Sequence, residues 1–303
     1  MKKFLDLIKI KHWIKNVFVF APIVFSLKLF DIDLLTREIA ASLCFCFVSV
    51  LVYIINDIID RDNDKNHPVK SARPIASGQI SIPVALIVGC LFFAVGAVGA
   101  VFIDYHLVVI LAAYLLLNIL YSLWLKRVVI VDVFIIAIGF CLRIAAGSVA
   151  INVRLGHWML LAVFGLSLFL GFGKRKNEID SLGDDSAVYR PGYSHYTSRI
   201  IDILIMLSAS VAVLSYAFYT MDSVTTGKFG SGGLVYSVPF VLFGIFRYIY
   251  LLYCENKGSN PEELAVKDWG IIIAVFGWIA VVVYVIYFSS VPDTEVVSEV
   301  LHW

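Results

Sequence analysis

The sequence predicts an all-α integral membrane protein of about nine transmembrane helices, and three observations predict it. The 303 residues are 60% hydrophobic and only 16% charged, where soluble domains carry nearer a quarter. Apolar runs of about 17–25 residues, the length that crosses a bilayer as a helix, recur along the whole chain. Lys and Arg gather in alternate loops. With the N-terminus in the cytoplasm, about eighteen of the 24 fall inside and about four outside, so the positive-inside rule gives N-in and, with nine spans, C-out. The expectation is one multi-pass domain over residues 1–303 in the plasma (cell inner) membrane.

The apolar runs place the helices at Ile14–Phe30, Ile39–Ile55, Ile82–Ile103, Leu107–Leu125, Val128–Ala150, His157–Phe172, Ile200–Tyr219, Leu234–Tyr253 and Gly270–Ser289. Lys15, Asn16, Pro22 and Lys28 interrupt the first of these. Ahead of it, "MKKFLDLIKIKHWIK" is basic and amphipathic rather than a cleavable signal, and is expected to lie on the membrane surface. Outer connections are short, apart from the Gly-rich "MDSVTTGKFGSGG". Two inner loops, Asn56–Ser81 and Gly173–Arg199, are long and densely charged, and function concentrates in such loops. The five cysteines lie in or beside apolar segments without metal spacing, and no disulfide is expected.

The first charged loop opens "NDIIDRDNDKNHPVKSARPIASG". On a helix continuing from the second span, Asp57, Asp60 and Asp64 fall within about a 60° arc, and Asp62 points the other way. Converging carboxylates repel one another unless a cation lies between them. Mg²⁺ suits such a set, because it takes hard oxygen ligands and shares its shell with phosphates. Asn56 adds a neutral oxygen or a donor. Lys70 and Arg73 supply cations for diphosphate oxygens, and Pro74 and Gly78 end the segment. The bland alternative is a solvated acidic loop with basic residues serving topology alone.

This stretch resembles the first aspartate-rich motif of the UbiA superfamily of intramembrane prenyltransferases. Asn56, Asp57, Asp60, Asp64 and the Arg73-Pro74 pair match it, and "YSLWLKR" resembles the family's Tyr…Lys loop through Tyr121 and Lys126. The resemblance extends over most of the chain. It implies nine helices around a central cavity under a cytoplasmic polar cap, with Mg²⁺–diphosphate bound by Asp57, Asp60 and Asp64. Tyr121 and Lys126 could equally be interfacial anchors.

The second loop departs from the ordinary family pattern. Asp180 and Asp184 keep a D-x-x-x-D spacing, but on a continuous helix they point away from Glu178, and Gly183 weakens that helix. Lys174 and Glu178 share a face, and Arg175 flanks them. This "GKRxxE", with "WIKN" (Lys15, Asn16) and "VDVFIIAIGFCLRIAAG", is similar to the decaprenyl-phosphate phosphoribosyltransferase branch. That branch joins 5-phosphoribose from phosphoribosyl diphosphate (PRPP) to a polyprenyl phosphate for cell-envelope glycan synthesis. Two phosphorylated substrates need additional cations, which Lys174, Arg175, Arg190 and the Lys15–Asn16 pair supply. Arg143, inside the fifth span, costs ~2.5–3.5 kcal/mol unless it faces a wet cavity, and it is expected to face one. Asp132 is some three turns from Arg143, too far for a pair. His67 and His195 have no assigned role, because a phosphate acceptor is already anionic.

The resemblance thus assigns catalysis to Asp57, Asp60, Asp64, Lys70 and Arg73. Substrate binding falls to Lys15, Asn16, Asn56, Tyr121, Lys126, Arg143, Lys174, Arg175, Glu178 and Arg190. The implied cofactor is Mg²⁺. The expected partners are PRPP, a polyprenyl phosphate and the membrane, with no nucleic acid. An aromatic prenyltransferase using an allylic polyprenyl diphosphate shares the metal site and differs at the second loop. A cation transporter would keep its carboxylates near the midplane rather than at a helix end.

Overall fold

The structure, a computed structural model, describes residues 2–66, 69–182, 197–230, 232–255, 264 and 267–288. No strand occurs among them, and eight of their helices are long and apolar enough to cross a membrane. The expected first span is the one that differs. After the short helix α1 (Lys2–Leu7), residues Ile10–Phe20 form a 3-10 segment, and only Ala21–Phe25 form an α-helix, α2. Pro22 in the first turn of α2 has no N–H to offer the turn before it, so it cannot continue a helix from residue 18. Asn16 turns inward and is buried, which a lipid-facing helix would not arrange.

Helix α3 (Ile32–Ile59) starts seven residues earlier than expected, because Asp31 caps it by accepting the Leu34 N–H at 3.1 Å. α4 (Arg61–Lys65) follows, and then α5 (Ile82–Ile103), α6 (Tyr105–Leu123) and α7 (Val131–Ala150). Described residues up to Leu155 form one compact unit, and those from Gly156 onward form a second.

In the first unit α3 is central. Of its most apolar stretch 67% is buried, against 17% for α5 and 22% for α6. The outward faces of α5 and α6 carry Ile87, Leu91, Val98 and Leu116, the side chains that lipid tails accept. Inside, Phe45, Val48 and Val52 of α3 pack with Ala100, Leu107, Leu111 and Tyr114, and with Ala146 and Ala150 of α7. A second cluster joins Leu7 of α1 to Val50, Ile54, Ile75 and Ile80. The basic N-terminal segment is therefore pinned to the end of α3 through Leu7 as well as amphipathic. Between α3, α5 and α6 lies a cavity of about 240 Å³, lined by apolar side chains such as Val48, Ala97 and Leu115. It has no group to hold a phosphate.

In the second unit α8 (His157–Leu182) packs along α9 (Ser198–Met221). Gly165 lets the two backbones meet, since a Cβ there would lie 2.7 Å from the Ala212 nitrogen. Small residues at such crossings are how membrane helices gain packing without a hydrophobic drive. α8 runs ten residues past its expected end at Phe172. The short α10 (Ser223–Phe229), α11 (Val238–Cys254) and α12 (Trp269–Tyr287) complete the unit. Trp278 donates to the Tyr216 hydroxyl at 2.7 Å, and that hydroxyl pairs with Ser237 at 2.6 Å. Arg247 grips Asp268 with two bonds while Asp268 caps α12. The guanidinium pulls the Asp268 carboxyl down to about 2. All five cysteines are free thiols.

The tightest backbone approach in the first unit is testable. A Cβ on Gly147 of α7 would lie 2.0 Å from the Val19 carbonyl oxygen and 2.7 Å from Oε1 of the fully buried Glu38. Gly147→Ala should therefore destabilise the protein by at least the ~1–3 kcal/mol of ordinary overpacking, seen as a lowered thermal midpoint in detergent. Gly227→Ala, where nothing lies within 4 Å, should leave the midpoint nearly unchanged. Equal midpoints for the two variants would contradict the close approach.

Candidate active site at the end of α3

The polar end of α3 concentrates charge that the apolar helix cannot solvate. Its helix does not continue through the motif. α3 ends at Ile59, Asp60 is the C-cap residue, and α4 starts at Arg61. The continuous helical face expected for Asp57, Asp60 and Asp64 is thus broken, and the three carboxylates separate into two groups. Among the described residues no three acidic, His or Cys side chains lie close enough to share one ion.

Asp57 and Asp64 do converge. Both are buried, and one atom, Arg73 Nη1, donates to Asp57 Oδ1 at 3.0 Å and to Asp64 Oδ2 at 2.7 Å. Lys9 Nζ also donates to Asp57 Oδ1, at 2.6 Å, and lies 5.5 Å from the centre of the Tyr53 ring. Burial pushes the Lys9 ammonium below its ordinary pKa, with Asp57 pulling it back up. Asp60 turns instead to Lys126, on the 3-10 turn Leu125–Arg127. Asn56 accepts from the Ser122 hydroxyl at 3.2 Å. Asp62 points away, exposed and paired with Lys65 at 2.9 Å, as expected. Lys70 is half-buried on the turn Lys70–Ala72, and Tyr121 is half-buried beside Ser122.

Three carboxylates thus face three cations: Asp57, Asp60 and Asp64 against Lys9, Arg73 and Lys126. Two hard oxygens already gather about one cationic atom. That donor set fits a divalent ion, with Asp57 and Asp64 as its holders and Asp60 next to them along the chain. Lys9 is a site residue that the sequence did not single out. It belongs to a basic run that reads as a surface anchor, and no periodicity singles it out.

Asn16 and Arg143, both expected to touch substrate, are buried and bonded to each other. Arg143 Nε donates to Asn16 Oδ1 at 2.8 Å, Nη1 to the Gly139 carbonyl at 2.8 Å and Nη2 to the Tyr114 hydroxyl at 3.1 Å. Its guanidinium also lies 4.9–5.3 Å from the ring centres of Phe45, Tyr114 and Phe140. Asn16 passes its amide on to Cys46 Sγ at 3.0 Å. Arg143 thus meets its desolvation cost with neutral partners and ring faces, and it locks the 3-10 segment to α7. Lys15 is half-buried on the same segment.

In the second unit Arg175 is buried and donates to Glu178 at 2.7 Å, and Lys174 is half-buried beside it. Lys176, not singled out from the sequence, ties this end together. Its ammonium lies 3.1 Å from Asp202, 3.4 Å from Asp180, 3.2 Å from Ser198 Oγ and 4.9 Å from the centre of the Tyr253 ring. The Lys176–Asp180 spacing of four was the available signal. Arg190, Asp184, His67 and His195 lie outside the described residues.

The Arg143–Asn16 lock predicts coupled energetics. Asn16→Ala and Arg143→Gln should each destabilise the protein by roughly 1–3 kcal/mol, and the double variant should be far from the sum. Additive losses in a thermal double-mutant cycle would dissolve the lock.

Comparisons with known proteins show the family and the fold. The model of the UbiA prenyltransferase family matches residues 31–267. A decaprenyl-phosphate phosphoribosyltransferase of Mycolicibacterium smegmatis is 30% identical over 92% of this chain and 91% of its own. The Mycobacterium tuberculosis H37Rv protein of the same name is 29% identical over 91% of each chain. A UbiA homolog from Archaeoglobus fulgidus, solved with DMAPP and Mg²⁺, superposes with a TM-score of 0.72 at 18% identity, covering 94% of this chain and 99% of that one. With the aspartate-rich end of α3, an all-helical membrane architecture and a family match over most of its length, the chain belongs to the UbiA prenyltransferase family.

Proposed function

We propose that the protein transfers 5-phosphoribose from PRPP to a polyprenyl phosphate, releasing diphosphate and forming polyprenyl-phosphoryl-5-phosphoribose for cell-envelope glycan synthesis. The observation that carries the reading is the convergence of Asp57 and Asp64 on Arg73 Nη1 at a membrane helix end, with Lys9 on Asp57 and Lys126 on the neighbouring Asp60. The choice of substrates is supported by mycobacterial relatives named decaprenyl-phosphate phosphoribosyltransferase along nearly the whole chain. The membrane orientation that goes with this reading is N-terminus and aspartate site in the cytoplasm, where the water-soluble donor is found.

The cofactor of this reading is Mg²⁺, which when bound supplies charge neutralisation to a departing diphosphate. Asp57 and Asp64 would hold it, with Asp60 beside them along the chain. Arg73 and Lys70 donate to diphosphate oxygens as the C1–O bond of the ribose lengthens and C1 gains oxocarbenium character. A lipid phosphate oxygen, already anionic, forms the new bond to C1 from the opposite face, and the bonding pair leaves with the diphosphate. No general base is required. The chain's contribution is alignment and preorganised charge. Lys126 steadies Asp60, and Ser122 steadies Asn56. Lys174, Arg175, Glu178, Arg190 and Lys15 are proposed to serve the remaining phosphates and the ribose hydroxyls. Tyr121 is proposed to contact substrate at the edge of the site. Asn16 and Arg143 act at a distance, by holding the segment that follows Lys9.

A two-substrate assay on purified protein tests the reading. Labelled PRPP with polyprenyl phosphate should give lipid-linked phosphoribose, whereas polyprenyl diphosphate with 4-hydroxybenzoate should give nothing. Chelation should abolish turnover and Mg²⁺ restore it. Asp57→Asn and Asp64→Asn should each lower the rate by orders of magnitude in protein that still folds, and Asp62→Asn should be mild. A prenylated aromatic product, with the first reaction silent, would move the chain to the aromatic prenyltransferases.

A further inference from the structure

We propose that Lys9 is a resident counter-cation of Asp57 that gives the carboxylate up when a divalent ion enters and then contacts the diphosphate. The inference rests on the metal–diphosphate part of the reading above and is independent of which diphosphate ester is the substrate.

Three observations carry it. First, Lys9 is aimed. Its Nζ lies 2.6 Å from Asp57 Oδ1, and the two side chains are only 12% and 2% exposed, so this is a dry pair rather than a passing surface contact. Second, Lys9 is held in place from both sides. Leu7 is packed against Ile54 and Ile75, and the 3-10 segment that begins at Ile10 is bolted to α7 through Asn16 and Arg143. Between these anchors Lys9 takes a left-handed conformation, φ 50° and ψ 48°, which an L side chain adopts at a cost that the surrounding contacts must offset. Third, the carboxylates are already paired. Asp57, Asp60 and Asp64 meet Lys9, Arg73 and Lys126, so a divalent ion that enters must displace one of these cations. Asp57 Oδ1 receives two cations, Lys9 and Arg73, and Arg73 is also committed to Asp64. Lys9 has Asp57 as its one ion-pair partner among the described residues, and its long flexible stem makes it the cation best able to leave.

The geometry therefore separates two effects of one side chain. Against a metal ion alone, Lys9 is a competitor for the same carboxylate. For a metal that arrives with diphosphate, Lys9 is an ally, because the anion supplies a new partner where Asp57 has been taken. Removing it should move the two affinities in opposite directions, which a residue that merely supports the fold would not do.

The test uses the full chain in detergent, with Mn²⁺ and inorganic diphosphate as probes. For Lys9→Met, the dissociation constant for Mn²⁺ alone, read by electron paramagnetic resonance, should fall several-fold, roughly three- to tenfold. The constant for diphosphate in saturating Mn²⁺ should rise about tenfold, as expected for the loss of one charge-assisted contact. Lys9→Arg should restore most of the diphosphate binding. A companion measurement needs no variant. Acetylation of Lys9 in the unaltered chain, followed by mass spectrometry, should increase with Mn²⁺ alone and decrease when diphosphate is added. Unchanged or weaker Mn²⁺ binding in Lys9→Met, or Lys9 labelling that ignores both probes, would overturn the proposal. Failure of the PRPP assay with these shifts intact would overturn the substrate assignment and leave Lys9 in its role.

Discussion

A carboxylate at the end of an apolar helix must find a positive partner, and the first unit is arranged around that requirement at Asp57. α3 is the most buried helix of its unit, so its last turn ends in a place that water reaches poorly. Asp57 is 2% exposed there. An unpaired charge so placed would be strongly destabilising. Two cations reach it from different directions in the chain, Lys9 from before α3 and Arg73 from after it. The loop beyond α4 and the N-terminal segment are both drawn onto the end of α3 as a result. Apolar packing of Leu7, Ile75 and Ile80 around Ile54 then closes the arrangement from below.

The same logic explains the interior of the unit. Arg143 has no carboxylate partner among the described residues, and it spreads its charge over three ring faces and three neutral acceptors. One of those acceptors is Asn16, and through it a polar residue in a nominal membrane span becomes a reason for that span not to form. The 3-10 segment can then run close along α7, where Gly147 admits the Val19 carbonyl. A buried cation, a missing helix and a glycine without which two backbones would clash are thus parts of one local solution.

Much of this was legible in the sequence. Bilayer thickness sets helix length, so the spans α5, α6, α7, α9, α11 and α12 could be read within a few residues of their ends from apolar run length alone, whereas α8 continues ten residues beyond its apolar run. The chemistry of the first loop was legible because acidic residues at such spacing are rare beside an apolar helix. What stayed hidden depends on partners distant in the chain. Arg143 and Asn16 are 127 positions apart, Lys126 and Asp60 are 66 apart, and Lys9 and Asp57 are 48 apart. Periodicity cannot announce such pairs. The convergence of Asp57, Asp60 and Asp64 was expected on a single helical face, and it failed at Asp60 because the helix ends one residue before it. Asp64 reaches Asp57 through the turn and through Arg73 instead.

α8 has a consequence of another kind. Its 26 residues span about 39 Å at 1.5 Å per residue, against about 30 Å of hydrocarbon. The excess carries Lys174, Arg175, Lys176 and Glu178, and Lys176 braces it against Asp202 and Tyr253. These charges therefore ride on a stiff stalk instead of a loop. A phosphorylated molecule that meets them finds groups whose chain entropy was already given up on folding, so recognition there is governed by charge and distance rather than by the cost of ordering the protein.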